Sequence, residues 1–281
     1  MTLFPMRSIL FVPADRPELA VKAAGSAADA ICLDLEDGVA PDRKPAARAV
    51  LADTAAPLLE AGKPLWLRVN SELEETVADI AAAPAGTAAI ILAKSRDLTH
   101  AALVGEMIDR RAGAQGPALV ALIEDPAAIA AFAAAGPRRA HSRLAALALG
   151  VEDLAAELAA ATGSGLIRRQ FHDLVLAAHG LGLPCLGYPG SIAEFRDLDG
   201  FAAPLAGAAA DGAVGGFCIH PAQIAPLNRC FGVRDEDRDW AGRVVAAFEA
   251  GGGVVTVDGR MVDRPVYERA RKLLARAAGN A

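Results

Sequence analysis

LAALAL, residues 144–149, is the stretch on which the fold turns. Leucine and alanine are good helix formers and neither is β-branched, so propensity alone writes this hexapeptide as helix. Its position writes it as a strand. Five short apolar runs precede it, SILFV (8–12), AICLDL (30–35), PLWLRV (64–69), AAIILA (88–93) and ALVALI (118–123), and two follow it, LPCLG (183–187) and GGFCI (215–219). Between them lie longer segments of helical period, such as RPELAVKAAGSA, KPAARAVLADTAAPLLEAG and DLTHAALVGEMIDRRAG. With LAALAL counted, the strands number eight. Eight strand–helix pairs in about 230 residues have the dimensions of a closed (β/α)₈ TIM barrel, an α/β fold. The rival, an open doubly wound sheet, places a glycine-rich phosphate turn after an early strand, and FVPADRP (11–17) offers none.

After His220 the pattern changes. PAQIAPLNRCFGV and DEDRDWAGRVVAAFEA read as two helices, GGGVVTVDGRMVD as a short hairpin, and RPVYERARKLLARAA as a basic amphipathic helix. The expected division is a barrel over 1–232 and a helical and hairpin extension over 233–281, acting as a lid and oligomer contact.

Composition narrows the function. The chain has 281 residues, 53% of them hydrophobic, enough for a large core. A formal net charge of -6 argues against nucleic acid or an anionic membrane as partner, since both call for a basic face. No apolar run reaches the roughly 20 residues needed to span a bilayer, and the N-terminal segment reads as a first strand rather than a signal peptide. Cys32, Cys185, Cys218 and Cys230 lack the paired spacing of a zinc site and read as core residues of a cytoplasmic, soluble protein.

In a barrel the chemistry lies at the C-terminal ends of the strands. Polar residues fall there after most of the apolar runs: Glu36 and Asp37, Arg68 and Asn70, Lys94, Glu124, Glu152 and Asp153, and His220. Each has a structural alternative. Asp153 and Glu124 stand where helices begin, and His220 fits a core imidazole. Their convergence on one rim points to function, because it gathers metal-ligating carboxylates and anion-binding cations. Mg²⁺ takes one or two carboxylates and completes its shell with water and substrate oxygens, so Glu124 and Asp153 on neighbouring strands suit it. Arg68 offers a bidentate fork for a carboxylate or a developing enolate. Neither a nucleophile elbow, a Walker loop nor an HExxH helix is present to compete.

RSILFVPADRPELAVKA, ICLDLEDGVAPDRKPAAR, LWLRVN, ALGVEDLAAELAA, FCIHPAQI and GRMVDRPVYERA together resemble the citrate lyase β-subunit (CitE-like) family of the HpcH/HpaI aldolases, over nearly the whole chain. The resemblance implies a TIM barrel, Mg²⁺, a homo-oligomer (trimer or hexamer), and making or breaking of a carbon–carbon bond in citryl, malyl or citramalyl thioesters of coenzyme A or an acyl carrier protein. By motif, Glu124 and Asp153 resemble the metal ligands and Arg68 the arginine beside the thioester carbonyl. Phe11, Arg16 and Lys22 resemble residues that contact coenzyme A, and Lys94 joins the substrate-binding set. Asp263 resembles an acid that reaches a neighbouring protomer's site and transfers a proton. Glu36 and Asp37 are placed with the catalytic set, lining the metal mouth and orienting Arg68 and Lys94.

The sequence departs from the family pattern at Asp125 and Pro126, where a threonine or serine usually follows the metal glutamate. The added charge beside Glu124 motivates a second reading, a non-catalytic thioester-binding or complex-forming subunit. A citryl-carrier-protein lyase subunit of a multisubunit citrate lyase is a third.

Overall fold

The computed structural model describes residues 6–136, 141–251 and 253–279. Segment 144–149 is a strand in it. It runs parallel to Ala118–Ile123, with Leu144 beside Leu119 and Leu149 beside Ile123, and to Cys185–Leu186 on its other edge. Every residue of the segment except Ala145 is buried. A strand covered on both faces has no alternation to display, which is why it reads as a plain apolar run.

Eight parallel strands form one sheet: β1 (Ser8–Pro13), β2 (Ala30–Asp34), β3 (Leu65–Val69), β4 (Thr87–Leu92), β5 (Ala118–Ile123), β6 (Leu144–Leu149), β7 (Cys185–Leu186) and β8 (Gly216–Cys218). Their order is β7-β6-β5-β4-β3-β2-β1-β8. The two ends meet: Cys185 bridges to Ala213, the Val214 N–H donates to the Cys185 carbonyl at 2.9 Å and the Gly187 N–H to the Gly215 carbonyl at 2.9 Å. The sheet thereby closes into the TIM barrel that the spacing of apolar runs predicts.

Helices α1 (Pro17–Ala24), α2 (Lys44–Glu60), α3 (Leu73–Ala82), α4 (Leu98–Ala112), α5 (Pro126–Ala134), α6 (Val151–Glu157), α7 (Gly165–Gly180), α8 (Leu198–Ala210) and α9 (Ile224–Phe231) connect and follow the strands. Side chains start several of them. Asp97 accepts from the His100 N–H, Ser164 from Ile167 and Asp197 from Gly200, each satisfying a donor that the first turn leaves orphaned. Among the described residues no helix is long and apolar enough to cross a membrane. All four cysteines are free thiols; Cys32, Cys185 and Cys218 are buried.

The described residues divide into two compact units, Met6–Phe231 and a second drawn from Gly232–Ala281. The second holds α10 (Asp235–Gly251), a hairpin of β9 (Val255–Val257) and β10 (Arg260–Val262), and α11 (Arg264–Gly279). Asp258 and Gly259 both take positive φ, 50° and 75°, the two-residue turn whose twist matches an antiparallel pair. Its own core gathers Ala241, Val244, Val257, Val262 and Ala270, and Phe248 stacks on Tyr267 at 4.5 Å.

One buried polar network fixes the chain where it leaves β3. The Asn70 N–H and side-chain amide both donate to Asp79 on α3, at 2.9 and 2.8 Å, and Arg48 on α2 donates to the same carboxylate at 2.7 Å. Asp79 is fully buried, so its charge is tolerable only because these donors meet it.

Candidate active site

The register of the barrel builds the site. β2 and β3 pair with Asp34 directly beside Arg68, so an acid and a base at two strand ends are brought into contact by topology rather than by sequence proximity. Arg68 Nε and Nη2 donate to the two oxygens of Asp34 at 2.7 and 2.6 Å, and Nη1 lies 3.0 Å from Glu36. The Nε and Nη2 edge of the Arg68 fork thus holds Asp34, so a substrate carboxylate or enolate would have to meet the remaining donors. A guanidinium carries five N–H donors. Three meet Asp34 and Glu36, which leaves two for a ligand. Burial of the guanidinium works against its charge, but Asp34, Glu36 and Asp37 outweigh that and hold it firmly protonated.

Asp34 also accepts from the Glu36 and Gly38 N–H groups at 2.9 and 2.8 Å. A Cβ on Gly38 would stand 2.5 Å from Asp34 Oδ2, so only glycine lets the chain turn this closely around the carboxylate. The acids that end the second apolar run thus divide their work. Asp34 fixes the turn and the arginine, while Glu36 reaches both Arg68 and Lys94, whose Nζ is 2.6 Å from Glu36 Oε1 and 3.2 Å from Asp153 Oδ2. Asp37 lies farther from both cations, at 3.6 Å from Arg68 and 3.9 Å from Lys94. Partial burial, then its contact with Glu36, push the Asp37 carboxyl up to about 6. Glu36 moves down: burial opposes this, but Asp37, Arg68 and Lys94 prevail.

Lys94 is one of three non-glycine residues at positive φ among the described residues, here 46°. Such a conformation costs on the order of 1 kcal/mol or more. It turns the Lys94 N–H onto Glu124 Oε2 at 2.6 Å. Glu124 is nine-tenths buried and sits against Gly150, where a Cβ would come within 2.3 Å of its Cγ. Neither Glu124 nor Asp153 serves as a helix cap. Asp125 caps α5 by accepting from the Ala128 N–H at 2.8 Å, and Gly150 occupies the cap position of α6. Neither acid is therefore spent on capping a helix, and Asp125 has a local role as the cap of α5.

A central cavity of about 470 Å³ is lined by Phe11, Arg68, Glu124, Asp153 and the apolar ends of β5 and β6, and an outer cavity of about 820 Å³ shares Glu124 and Asp153 with it. Lys94 lines the outer one. Phe11 stacks on Phe217 at 5.2 Å, and the Arg68 guanidinium lies 4.7 Å from the Phe11 ring centre. Arg16 and Lys22 line neither cavity and are exposed; Arg16 pairs with Glu18 at 2.6 Å. Lys22 follows Leu19, which does line the central cavity, at a spacing of three on α1, and Arg16 stands at the start of that helix. Asp263 belongs to the second unit, where its carboxylate accepts from the Val266 N–H at 3.2 Å and caps α11.

The sequence did not single out Phe217, Tyr188 or Ile192 as cavity residues. Phe217 lies inside an apolar strand run and Ile192 in a loop without charge pattern, so neither carried a signal. Glu152 turns out to hold that loop: its Oε1 accepts from Ser191 Oγ at 2.6 Å and from the Ile192 N–H at 2.9 Å. His220 accepts from the Ala222 N–H and stacks on Phe195 at 5.1 Å, so it caps a turn rather than filling the core.

Mg²⁺ fits the donor set. Glu124 and Asp153 line the same two cavities, and Mg²⁺ takes one or two carboxylates and completes its shell with substrate oxygens and water. Burial first, then the charges of Glu36 and Asp153, push the Glu124 carboxyl up to about 8, against the Lys94 N–H that holds it down. A hard cation beside Glu124 and Asp153 would relieve that repulsion.

The profile of the HpcH/HpaI aldolase/citrate lyase family matches residues 7–221. The (3S)-malyl-CoA thioesterase of Cereibacter sphaeroides is 34% identical, over 97% of this chain and 95% of its own length. The L-malyl-CoA/beta-methylmalyl-CoA lyase of the same organism is 32% identical, over 97% and 95%. The crystal structure of CitE from Mycobacterium tuberculosis with magnesium, acetoacetate and coenzyme A is similar with a TM-score of 0.76 and 31% identity, covering 96% of this chain and 97% of that one.

Proposed function

This chain belongs to the HpcH/HpaI aldolase/citrate lyase family, and from that premise we propose that it is a Mg²⁺-dependent carbon–carbon lyase acting on a 3-hydroxy-3-carboxyacyl-CoA thioester. The substrate R–C(OH)(COO⁻)–CH₂–CO–S–CoA gives the keto acid R–CO–COO⁻ and acetyl-CoA, and the reverse reaction forms the bond. The observation that carries this reading is the mouth itself: two carboxylates free of capping duty, Glu124 and Asp153, across from an arginine with donors to spare.

Glu124 and Asp153 would hold Mg²⁺, which supplies Lewis-acid polarisation of the substrate's hydroxyl and carboxylate oxygens. In cleavage the hydroxyl proton passes to water in the mouth, the carbon–carbon bond pair passes to the methylene carbon as a thioester enolate, and that carbon takes up a proton, so no net proton is gained or lost. The two remaining N–H groups of Arg68 donate to the enolate oxygen. Because Asp34 and Glu36 already balance its charge, Arg68 acts as a fixed pair of donors, worth roughly 3 kcal/mol to the transition state. Asp34 and Glu36 hold the guanidinium in place, Lys94 aims its N–H at Glu124, and Phe11 covers the guanidinium from the side of β1. Arg16 and Lys22 receive the phosphates of coenzyme A at the rim, where exposed cations bind anions at a smaller desolvation cost than buried ones.

Asp263 delivers or removes the proton on the methylene carbon, serving the site of a neighbouring copy in a homo-oligomer, with the C-terminal extension as lid and contact. A cytoplasmic location agrees with free, buried thiols. The non-catalytic reading drew on Asp125, and the bond from the Ala128 N–H gives that residue a capping role of its own.

The test is direct. Malyl-, citramalyl- and citryl-CoA are incubated with the full chain and Mg²⁺, with and without chelator. Chelator-sensitive acetyl-CoA from at least one is expected. Free coenzyme A without acetyl-CoA would mark a hydrolase instead, and no product from any would overturn catalysis.

A further inference from the structure

Resting on the lyase reading, we infer that the substituent R on the carbinol carbon is hydrogen or a small alkyl group and not a second carboxylate-bearing arm, so that the chain acts on malyl- or citramalyl-CoA in preference to citryl-CoA. The inference comes from where charge and apolar surface fall around Glu124 and Asp153.

Among the described residues lining the central cavity, Arg68 is the one cation, against Asp34, Asp37, Glu124, Glu152 and Asp153. Three of its donors are engaged by Asp34 and Glu36. The surface next to the two metal carboxylates is aliphatic. Leu122 lies two residues before Glu124 on β5, and Leu149 and Val151 lie just before Asp153; all three are buried. Ile192 and Ile219 add to the same lining.

That wall is held in place. Glu152 fixes Ser191 and Ile192 from one side, and Gln223, fully buried, donates to the Ile192 carbonyl at 2.8 Å from the other. A loop pinned at both edges does not swing away to admit solvent to a charged group. The outer cavity offers no better berth. Its Lys94 already lies between Glu36 and Asp153, and Arg96, exposed to solvent, shares the space with Glu72, Asp125 and Glu157.

A substrate carboxylate that chelates the metal is compensated there. A second one, on R, would stand against aliphatic side chains or facing carboxylates, and an unpaired buried charge is strongly disfavoured. Hydrogen in the same place carries no such cost, and methyl also gains apolar contact.

Two measurements with the full chain and Mg²⁺ test this. In the first, kcat/KM for malyl- or citramalyl-CoA is expected to exceed that for citryl-CoA at least 100-fold; citryl-CoA within threefold of the better of the other two would overturn the inference. The second is calorimetric binding of the keto acids alone, which does not require turnover. Pyruvate is expected to bind at least tenfold more tightly than oxaloacetate, and equal or weaker binding of pyruvate, or binding of neither, would overturn the inference. If no thioester is cleaved, the lyase reading fails while the binding comparison still decides the nature of the wall. Ile192→Lys, which places a cation on the wall, is expected to narrow both ratios at least tenfold by improving the dicarboxylate; unchanged ratios would count against Ile192 facing R.

Discussion

Arg68→Ala is expected to lower kcat by roughly 10²–10³-fold, the range found when one fixed donor to a developing oxyanion is removed. The structure adds a second effect that the sequence did not foresee. Asp34 is 3% exposed, and with Arg68 gone its buried charge would keep the Glu36 and Gly38 N–H groups but lose its cation. Breaking a buried pair from one side costs about 3–5 kcal/mol, so urea unfolding of the variant should show a midpoint well below that of the parent. Mg²⁺ affinity, which we assign to Glu124 and Asp153, should change less than tenfold. Arg68→Ala with Asp34→Asn separates the two effects: stability recovers in part because the orphaned charge is gone, and turnover does not. Turnover within threefold of the parent in Arg68→Ala would remove the arginine from the mechanism.

Asp263→Asn is expected to lower kcat by roughly 10²–10⁴-fold, the contribution of a positioned acid or base. This variant is unusually clean. Asp263 caps α11 through the Val266 N–H, and asparagine caps a helix as well as aspartate does. The melting temperature should therefore stay with the parent while proton transfer is lost. Co-expression of Asp263→Asn with Arg68→Ala tests whether the acid serves a neighbouring copy. Mixed oligomers would contain sites with both groups intact and regain a fraction of the activity. Unchanged turnover in Asp263→Asn, or no recovery in the mixed oligomer, would restrict Asp263 to capping or to its own chain's site respectively.

The strands were legible because a parallel barrel buries both faces, so each strand reads as an apolar run at regular spacing. LAALAL shows the limit of local reading. Its composition favours helix, and it is a strand because β5 and β7 flank it with unpaired edges at that point in the chain. The acids at the strand ends were legible too, as charges placed where an apolar run stops. The bond between Asp34 and Arg68 was not, since it depends on which residues of two strands lie side by side. That register also explains why the Nε and Nη2 edge of Arg68 is taken up by Asp34. Asp125 was readable in principle: an aspartate followed by proline at the start of a helical run is a capping signal, and the sequence reading instead weighed its charge against Glu124. The aliphatic wall of Leu122, Leu149 and Ile192 carried no signal, because cavity-facing and core-facing leucines look alike in a sequence.

The central claim is that Glu124 and Asp153 hold one divalent ion between them. A crystal structure of the Mg²⁺-soaked protein measures this directly. The account predicts a single ion in the mouth with one oxygen of Glu124 and one of Asp153 each about 2.0–2.1 Å away and water or keto acid filling the remaining positions. An ion held by other side chains, or a separation of the two carboxylates too wide for one ion to bridge, would contradict it.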